Sequence, residues 1–295
     1  MNILVISASS LLGHYLCLHF LINNHSVTGT YRRFNSSIQE LCSYSEFTPL
    51  QLEFTFDSPY PLLGDFDCII NSTGAYPSEG VSSSDIIFAN IKVAESISKH
   101  LTISNPPSLL INFSSLSVHG DLSMSDYIDE STLPTPMDTY GTTKLLSEQI
   151  LSSCHSIERI AHLRFPVVLG KGAHRAWLPT LFHRMINNLP VTLTNPNKLY
   201  GCCTTMLAVA NFCDKLIGKT FSKSVEIFPL ASIPDLSLIQ IFDILSNHLN
   251  YTLPPHIITS ASPSVFIDTS HARSYGYDCP KTSSTINYWL SKELK

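Results

Sequence analysis

The first half of the chain alternates short apolar runs with longer stretches of helical periodicity. Buried strands are predicted at residues 3–6, 26–30, 50–54, 68–71, 109–113 and 160–165, and helices at residues 11–22, 86–101 and 140–154. Strands that alternate with helices along a chain form a parallel sheet with helices on both faces. The sequence therefore predicts a doubly wound α/β fold, in which a ligand lies beyond the carboxyl ends of the strands.

Composition excludes several other classes of protein. With 44% hydrophobic and 14% charged residues, the chain is expected to be globular rather than disordered. The net charge is −5 and the Lys and Arg residues are scattered, so no nucleic-acid partner is expected. The apolar N-terminus is interrupted by Ser7, Gly13 and His14 and has no basic start. We therefore expect neither a membrane span nor a signal peptide.

The eight cysteines show neither C-x-x-C pairs nor the spacing of metal ligands. Several of them stand inside apolar runs, where cysteine behaves as a small hydrophobic residue. We therefore expect no metal site and a cytoplasmic location, where thiols stay reduced.

The turn after the first strand has the position of a dinucleotide phosphate loop. Residues 7–13 read SASSLLG, which is the spacing of G-x-x-G-x-x-G with serines at the first two glycine positions. Backbone N–H groups at a helix N-terminus bind a pyrophosphate, so the predicted contacts are Ser7, Ser10, Leu11, Leu12 and Gly13. Serine adopts a positive φ less readily than glycine, and an ordinary strand-to-helix turn also fits this sequence.

Two arginines, Arg32 and Arg33, follow the second strand. In a dinucleotide-binding fold, an acidic residue at this place binds the ribose hydroxyls of NAD, whereas an arginine accommodates the 2′-phosphate of NADP. The pair, with no carboxylate beside it, predicts NADP(H) as the preferred cofactor and NAD(H) as the alternative. Two solvated charges that open a loop are equally consistent with the sequence.

Tyr140 and Lys144 stand four residues apart on a predicted helix, so their side chains share one face. A phenol acts as an acid or base at neutral pH when a nearby cation lowers its pKa, and a lysine one turn away supplies that cation. The same spacing is common on solvated helix faces. It predicts a catalytic pair only when a matching context lies upstream.

That context resembles the extended short-chain dehydrogenase/reductase family, the nucleotide-sugar epimerases, dehydratases and reductases. The family carries a strand-end motif similar to SSxxVYG, and residues 114–120 read SSLSVHG, with Ser115 standing 25 residues before Tyr140. The resemblance implies that Ser115 orients the reacting oxygen and Tyr140 exchanges its proton, while Lys144 assists the tyrosine and contacts the nicotinamide ribose. Asn90 falls at the family's helix asparagine, which supports the lysine through a water.

Two more segments match the family in order. Residues 67–74, DCIINSTG, resemble its fourth strand, which implies that Thr73 and Gly74 lie against the cofactor. Residues 164–170, RFPVVLG, are similar to its LRxxxVYG strand, which implies contacts of Pro166 and Val168 with the nicotinamide. By the same resemblance, residues 1–165 form a Rossmann-type dinucleotide-binding domain and residues 166–295 a smaller C-terminal α/β substrate-binding lobe, interleaved with the last strands. A homodimer is implied in the same way.

Departures from the family concern the substrate. His119 stands where the family usually has tyrosine, and GCCTTM at residues 201–206 replaces a segment that carries an arginine in many relatives. The diphosphate of a nucleotide sugar is instead predicted to contact Lys171, His174, Arg175 or Arg184, although solvated surface roles also fit these residues. Ser115 and His119 are predicted to contact the substrate as well.

The predicted reaction is the 4-keto reduction of a nucleoside-diphosphate deoxysugar, as in the biosynthesis of surface polysaccharides or glycosides. Leu116 and Ser117 cannot supply the acidic pair that a dehydratase of this family needs after the catalytic serine. A 4-epimerase with tightly bound NAD is the first alternative, and a noncatalytic cofactor-binding regulator with the same fold is the second. A regulator has no need of Ser115, Tyr140 and Lys144 in register, which favours an enzyme.

Overall fold

A computed structural model describes residues 1–53, 65–78, 80–101, 106–122, 127–174, 176–260 and 264–293 of the chain. Its strands are β1 (Asn2–Ile6), β2 (Ser26–Tyr31), β3 (Phe47–Gln51), β4 (Cys68–Asn71), β5 (Leu109–Ser115), β6 (Tyr127–Ile128), β7 (Arg159–Phe165), β8 (Val167–Leu169), β9 (Thr192–Thr194), β10 (Cys203–Thr205), β11 (Val225–Pro229), β12 (His256–Ile258) and β13 (Phe266–Ile267).

Its helices are α1 (Leu11–Ile22), α2 (Ser36–Leu41), α3 (Ser83–Ile87), α4 (Val93–Leu101), α5 (Thr139–Ser152), α6 (Trp177–Ile186), α7 (Met206–Ile217), α8 (Leu238–Leu249), α9 (Ser270–Ser274) and α10 (Thr282–Glu293). A π-helical turn, Phe88–Lys92, joins α3 to α4, and a short 3-10 helix, Leu116–His119, follows β5. None of the helices in the described ranges is both long and apolar enough to cross a membrane.

Seven strands form one sheet in the order β11-β7-β5-β4-β1-β2-β3. Strand β1 pairs in parallel with β2 and with β4, and the pairs of β2 with β3 and of β4 with β5 are also parallel. The order steps outward from β1 in both directions, which requires crossover connections on both faces. This topology confirms the predicted doubly wound α/β fold.

The chain divides into two compact units. The first unit consists of Met1–Gly120, Leu133–Arg164 and Ala210–Phe228, and the second of Asp121–Thr132, Phe165–Val209 and Pro229–Lys295. The division into domains at residue 165, and the assignment of the second domain to substrate binding, stay predictions.

Each unit has its own apolar core. In the first, strand residues such as Leu4, Ile69 and Leu110 pack with Ile97 of α4 and Leu151 of α5. These side chains stabilise the unit because each removes apolar surface from water, at roughly 25 cal/mol per Å². The core thereby fixes α4 and α5 against the sheet, and α5 carries the Tyr-Lys pair.

The second unit is built around the fully buried Trp289, whose ring lies 4.8 Å from that of Phe182. Side chains of α6, α8 and α10 surround these rings, including Leu181, Leu245 and Ile286. Its small two-stranded sheets pair β8 with β10, β9 with β12 and β6 with β13, all in parallel. Segments 166–170 and 201–206 thus meet in one small sheet.

Some predicted boundaries are wrong. The third strand, predicted at residues 50–54, is β3 at Phe47–Gln51, and residue 54 lies outside the described part of the chain. The helix predicted from residue 86 begins at Ser83, because Ser82 and Asp85 form a capping box that closes its first turn. The strand predicted to end at residue 113 continues to Ser115. Helix α2 was not predicted.

Candidate active site

Lys144 lies at the centre of a buried site in the first unit. Helix α5 begins at Thr139, where the Asp138 carboxylate accepts a hydrogen bond from Gly141 N at 2.7 Å, and it carries Tyr140 and Lys144 one turn apart. The Lys144 ammonium donates to the carbonyl oxygens of Thr73 and Phe113, each at 2.9 Å. Burial lowers the pKa of Lys144 to about 8, while the nearby carboxylate of Glu148 raises it. The structure thus joins α5 to the ends of β4 and β5.

Gly74 and Asn90 complete the surroundings of this lysine. A Cβ added to Gly74 would lie 2.9 Å from Lys144 Nζ, so a side chain at this position would displace the ammonium. Asn90 stands in the π-helical turn and donates from Nδ2 to Thr143 Oγ1 at 2.9 Å. Its Oδ1 is buried without a hydrogen-bond partner among the described residues. A buried acceptor of this kind fits the predicted support of the lysine through a water.

Ser115 is the last residue of β5 and caps the 3-10 helix that follows. Its Oγ accepts from Ser117 N and contacts Ser117 Oγ, both at 3.1 Å. Phe113, whose carbonyl holds Lys144, precedes Ser115 by two residues on the same strand. The structure therefore brings the strand of Ser115 and the helix of Tyr140 and Lys144 together, while the catalytic roles of these residues stay predictions.

Tyr76 contacts the predicted acid and was not singled out from the sequence. The ring centroids of Tyr76 and Tyr140 lie 5.0 Å apart at an interplanar angle of 69°, an edge-to-face arrangement that aromatic rings favour. Tyr76 lies in the segment between β4 and α3, and 38% of its surface is exposed. No spacing rule connects a loop tyrosine to a helix tyrosine 64 positions later, so only the fold reveals this contact.

The loop after β1 contains a serine with positive φ, a conformation that serine adopts less readily than glycine. Ser7 has φ 75, in the left-handed region that favours glycine. Its carbonyl oxygen accepts from Ser10 Oγ at 2.8 Å, and Ser10 Oγ in turn accepts from Gly13 N at 3.1 Å as the cap of α1. The N–H groups of Leu11 and Leu12, in the first turn of α1, have no partner within the helix. Such donors fit a pyrophosphate. The geometry of the loop agrees with the predicted contacts, which stay predictions.

Replacing Ser7 with glycine is expected to raise the free energy of unfolding by roughly 1 kcal/mol, because the left-handed conformation costs a residue with a Cβ about that much. Denaturant unfolding of the two proteins measures the difference. Ser9→Gly is the matched control, since Ser9 is not among the described residues with positive φ. An equal gain in both variants would contradict strain at Ser7.

Arg32 and Arg33 are exposed just beyond the end of β2. The backbone carbonyl of Arg32 accepts from Gln51 Nε2 at 3.4 Å, and the ring of Tyr31 packs edge-on against Phe34. Because both arginines are exposed, neither belongs to a buried ion pair. Their contact with a 2′-phosphate stays a prediction.

The remaining predicted residues lie in the second unit. Pro166 directly precedes β8 and Val168 lies within it, and β8 pairs with β10. Lys171 and His174 are exposed, and His174 Nδ1 lies 3.0 Å from the Gly172 carbonyl oxygen. Arg184 is also exposed and donates from Nε and Nη2 to the Pro190 carbonyl oxygen, while Arg175 lies outside the described residues. Cofactor and substrate contacts for this group stay predictions.

A buried chain of amides and imidazole supports the Thr73 carbonyl, and the sequence did not reveal it. Thr73 Oγ1 donates to Asn71 Oδ1 at 2.6 Å, Asn71 Nδ2 donates to Asn112 Oδ1 at 2.8 Å, and Asn112 Nδ2 lies 3.2 Å from His162 Nδ1. Since Asn112 presents its amide nitrogen, His162 Nδ1 is the acceptor. Burial lowers the pKa of His162 to about 4, so the imidazole is neutral. These hydrogen bonds fix the position of Thr73, whose carbonyl oxygen accepts a hydrogen bond from Lys144.

Sequence comparison identifies the family. The family described as "NAD dependent epimerase/dehydratase family" matches residues 3–203, more than half of the chain. The chain belongs to the NAD dependent epimerase/dehydratase family. This membership confirms the resemblance to extended short-chain dehydrogenases and the prediction of an enzyme of NAD(P)-dependent oxidoreductase type. None of the curated proteins matches the sequence.

Several solved structures share the fold of this NAD dependent epimerase/dehydratase family member. UDP-glucuronic acid 4-epimerase from Bacillus cereus, in complex with NAD, is 21% identical with a TM-score of 0.83, over 99% of this chain and 97% of that one. The Bordetella bronchiseptica enzyme WbmG, in complex with NAD and UDP, is 18% identical with a TM-score of 0.78, over 98% and 93%. MoeE5, in complex with UDP-glucose and NAD, is 16% identical with a TM-score of 0.77, over 100% and 97%. At these identities the likeness shows the fold.

The described part of this epimerase/dehydratase family member holds no group of three or more His, Cys, Asp or Glu side chains that could bind a metal ion. The site described above contains the buried Lys144 and Ser115 and the partly buried Tyr140. The family description and the solved complexes name NAD, so the predicted preference for NADP gains no support from them.

Proposed function

We propose that the chain is a nucleotide-sugar 4-epimerase that retains NAD and acts on a uridine-diphosphate sugar. The observation that carries the proposal is the Lys144 ammonium, held by two carbonyl oxygens one helical turn from Tyr140 and beside the strand of Ser115. Structures that share this fold are a UDP-glucuronic acid 4-epimerase and enzymes crystallised with UDP or UDP-glucose. They favour 4-epimerisation over the 4-keto reduction predicted from the sequence.

The side chains can perform the acid and base steps of such a reaction. When bound, the nicotinamide supplies hydride chemistry, which amino-acid side chains cannot provide. Tyr140 removes the proton of the sugar 4-hydroxyl as the carbonyl forms, and it returns the proton after the sugar has presented its other face. Ser115 donates a hydrogen bond that stabilises charge on the sugar oxygen. Lys144 keeps positive charge beside the phenol, which favours its ionised form.

The residues around α1 and Lys144 would hold the cofactor. The first-turn N–H groups of α1, at Leu11 and Leu12, would bind the pyrophosphate, because they are donors at the positive end of a helix dipole. Lys144 would contact the nicotinamide ribose beside Gly74, which has no side chain to exclude it. The cofactor would then stay bound through a full catalytic cycle, as epimerisation requires.

The 4-keto reductase remains the second candidate because of Arg32 and Arg33. In the sequence, no acidic residue adjoins these exposed arginines at the end of β2, where NAD-binding folds place one for the ribose hydroxyls. A reductase that exchanges NADPH would use these arginines to bind the 2′-phosphate. The two candidates therefore differ in whether the cofactor leaves the protein.

Purified protein is expected to carry NAD in near-equal amount and to interconvert UDP-glucuronic acid and its 4-epimer without added cofactor. Denaturing the protein and identifying the released nucleotide by chromatography tests the first point, and product analysis of a UDP-sugar panel tests the second. Binding of NADPH with its consumption by 4-keto sugars would overturn the epimerase in favour of the reductase. Cofactor binding without turnover of any panel member would support the noncatalytic regulator.

The homodimer implied by the family resemblance stays a proposal. Size-exclusion chromatography with light scattering gives the mass in solution, and a mass of about twice the 32.7 kDa chain is the expected result.

A further inference from the structure

A buried ion pair lies one helical turn beyond Lys144. Glu148 of α5 accepts hydrogen bonds from Arg164 Nε at 2.9 Å and from Arg164 Nη2 at 2.6 Å, so the pair is bidentate. Both side chains are nearly inaccessible, at 5% and 2% exposure. Burying two charges costs desolvation energy that a mutual pairing only partly offsets, so such a pair is weak evidence of a purely stabilising role.

The pair connects β7 to the two elements, α5 and β5, that carry the proposed catalytic residues. Glu148 shares α5 with Tyr140 and Lys144, and its Oε1 also accepts a hydrogen bond from Ser114 Oγ. Ser114 is the residue before Ser115 on β5, so the carboxylate fixes the strand end from which Ser115 projects. Arg164 belongs to β7. One carboxylate therefore ties α5, β5 and β7 together within the first unit.

Arg164 extends the connection to the 3-10 helix after Ser115. Its Nη1 lies 3.3 Å from His119 Nε2, and His119 is buried. A guanidinium has donors only, so His119 Nε2 must be the acceptor and the imidazole is neutral with its proton on Nδ1. The structure thus turns this nitrogen of His119, predicted to contact substrate, towards Arg164.

Glu148 is a carboxylate whose negative charge acts on Lys144 from one helical turn away on α5. Tyr140 stands one turn before the lysine on α5, and the Thr73 and Phe113 carbonyls approach its ammonium as neutral groups. Glu148 in turn lies among Arg164 and His162 of β7, and Arg164 lies beside His119 of the 3-10 helix. Burial raises the pKa of Glu148, but the hydrogen bonds from Arg164 and the positive charge near it lower it overall. The carboxylate is therefore ionised. Its negative charge raises the pKa of Lys144 and so offsets part of the decrease that burial causes.

We infer that Glu148 and Arg164 are a positioning pair for the proposed reaction: Glu148 keeps Lys144 charged and, through Ser114, fixes the placement of Ser115, while Arg164 keeps that carboxylate in place and limits its pull on the lysine. Neither side chain contacts the reacting atoms. The inference rests on the proposed function for its catalytic consequence, but not for its effect on the lysine.

The two members of the pair have opposite effects on Lys144. Glu148→Gln removes the negative charge and leaves the positive charge of Arg164, so Lys144 loses its proton at lower pH than in the parent. Arg164→Met removes a positive charge and leaves Glu148 facing Lys144, so the lysine holds its proton to higher pH. A purely structural pair would loosen the site in both variants and shift the lysine in one common direction.

Titration of Lys144 by NMR, with ¹³C at the lysine Cε and the signal assigned through Lys144→Met, measures this effect without any substrate. We expect midpoints shifted by about one pH unit or more, downward in Glu148→Gln and upward in Arg164→Met. Arg164→Lys, which retains the charge, should restore a midpoint near the parent value. Glu95→Gln is the matched control. Glu95 of α4 pairs with Lys92 of the π turn at 2.7 Å, and both side chains are partly exposed.

Activity provides the second arm. The alkaline limb of the pH–kcat profile should follow the Lys144 midpoint in each variant, with KM little changed, and Ser114→Ala should lower kcat without moving the limb. If Glu148→Gln does not fold, the double variant Glu148→Gln/Arg164→Met removes both charges, and its midpoint should lie below that of Arg164→Met, which retains the Glu148 carboxylate. Unshifted midpoints, or shifts of the same sign in both single variants, would overturn the inference. If the midpoints shift as expected but no UDP-sugar is turned over, the proposed function fails and the pairing stands.

Discussion

Replacing Tyr140 with Phe is expected to lower kcat by about a hundred- to ten-thousandfold, because the variant has no proton to exchange with the sugar oxygen. The ring and its edge-to-face contact with Tyr76 remain, so the fold and the bound cofactor should be retained. Steady-state turnover of the UDP-sugar that proves active gives the ratio, and the cofactor content of the purified variant is measured in parallel.

Tyr288→Phe is the matched control for this variant. Tyr288 lies on α10 in the second unit, where its ring is covered by the Lys292 ammonium at 5.5 Å from the centroid. Removal of that hydroxyl should leave kcat unchanged. Full activity of the Tyr140 variant would show that another group exchanges the proton, whereas loss of both activity and cofactor would point to a binding defect.

Replacing Gly13 with Ala is expected to abolish retention of the cofactor and to lower the free energy of unfolding by about 1–3 kcal/mol. A Cβ at this position would overlap the Ser7 carbonyl oxygen and lie 2.9 Å from Ser10 Oγ. That carbonyl accepts both Ser10 N, at 3.0 Å, and Ser10 Oγ, so the loop cannot move without losing the cap of α1. Denaturant unfolding and nucleotide analysis of the purified variant measure the two effects.

Gly218→Ala provides the comparison, because no atom of the described residues, apart from its chain neighbours, lies within 4 Å of a Cβ built there, and its φ is not positive. This change should leave stability within about 0.5 kcal/mol of the parent and cofactor content unchanged. A Gly13 variant that matched it in both respects would show that the loop yields to a methyl group. The cofactor would then be held elsewhere.

The strands and helices of the sheet were predictable where one local signal was strong. Helix α1 and strand β4 have the predicted bounds because both are largely apolar and polar residues mark where they begin and end. Strand β3 was misplaced by three residues because Pro49 falls within it, and proline argues against a central strand. The sheet order explains why β3 tolerates a proline, since this strand lies at an edge of the sheet. Edge position depends on the whole topology and has no local signal.

The site was predictable in its named residues but not in what supports them. Lys144 and Tyr140 were found by their spacing, and Glu148 could have been found likewise, as it stands one further turn along α5. Its partner Arg164 lies on another element, and nothing in the sequence distinguishes an arginine that pairs with a buried carboxylate from one that binds a ligand. Asn112 and His162 belong to the same class of long-range contact.

The π-helical turn at Phe88–Lys92 fixes the length of the helix that contains Asn90. A π turn holds one residue more than the α-helical turn it replaces, so deletion of a single residue between Asn90 and α4 would restore regular α-helix. Each residue of an α-helix turns by about 100°, and the residues before the deletion would rotate by that angle relative to α4. Asn90 would then leave Thr143. Relatives that keep this asparagine should therefore align through the helix without gaps, and a relative with a one-residue gap there should have lost the asparagine's role.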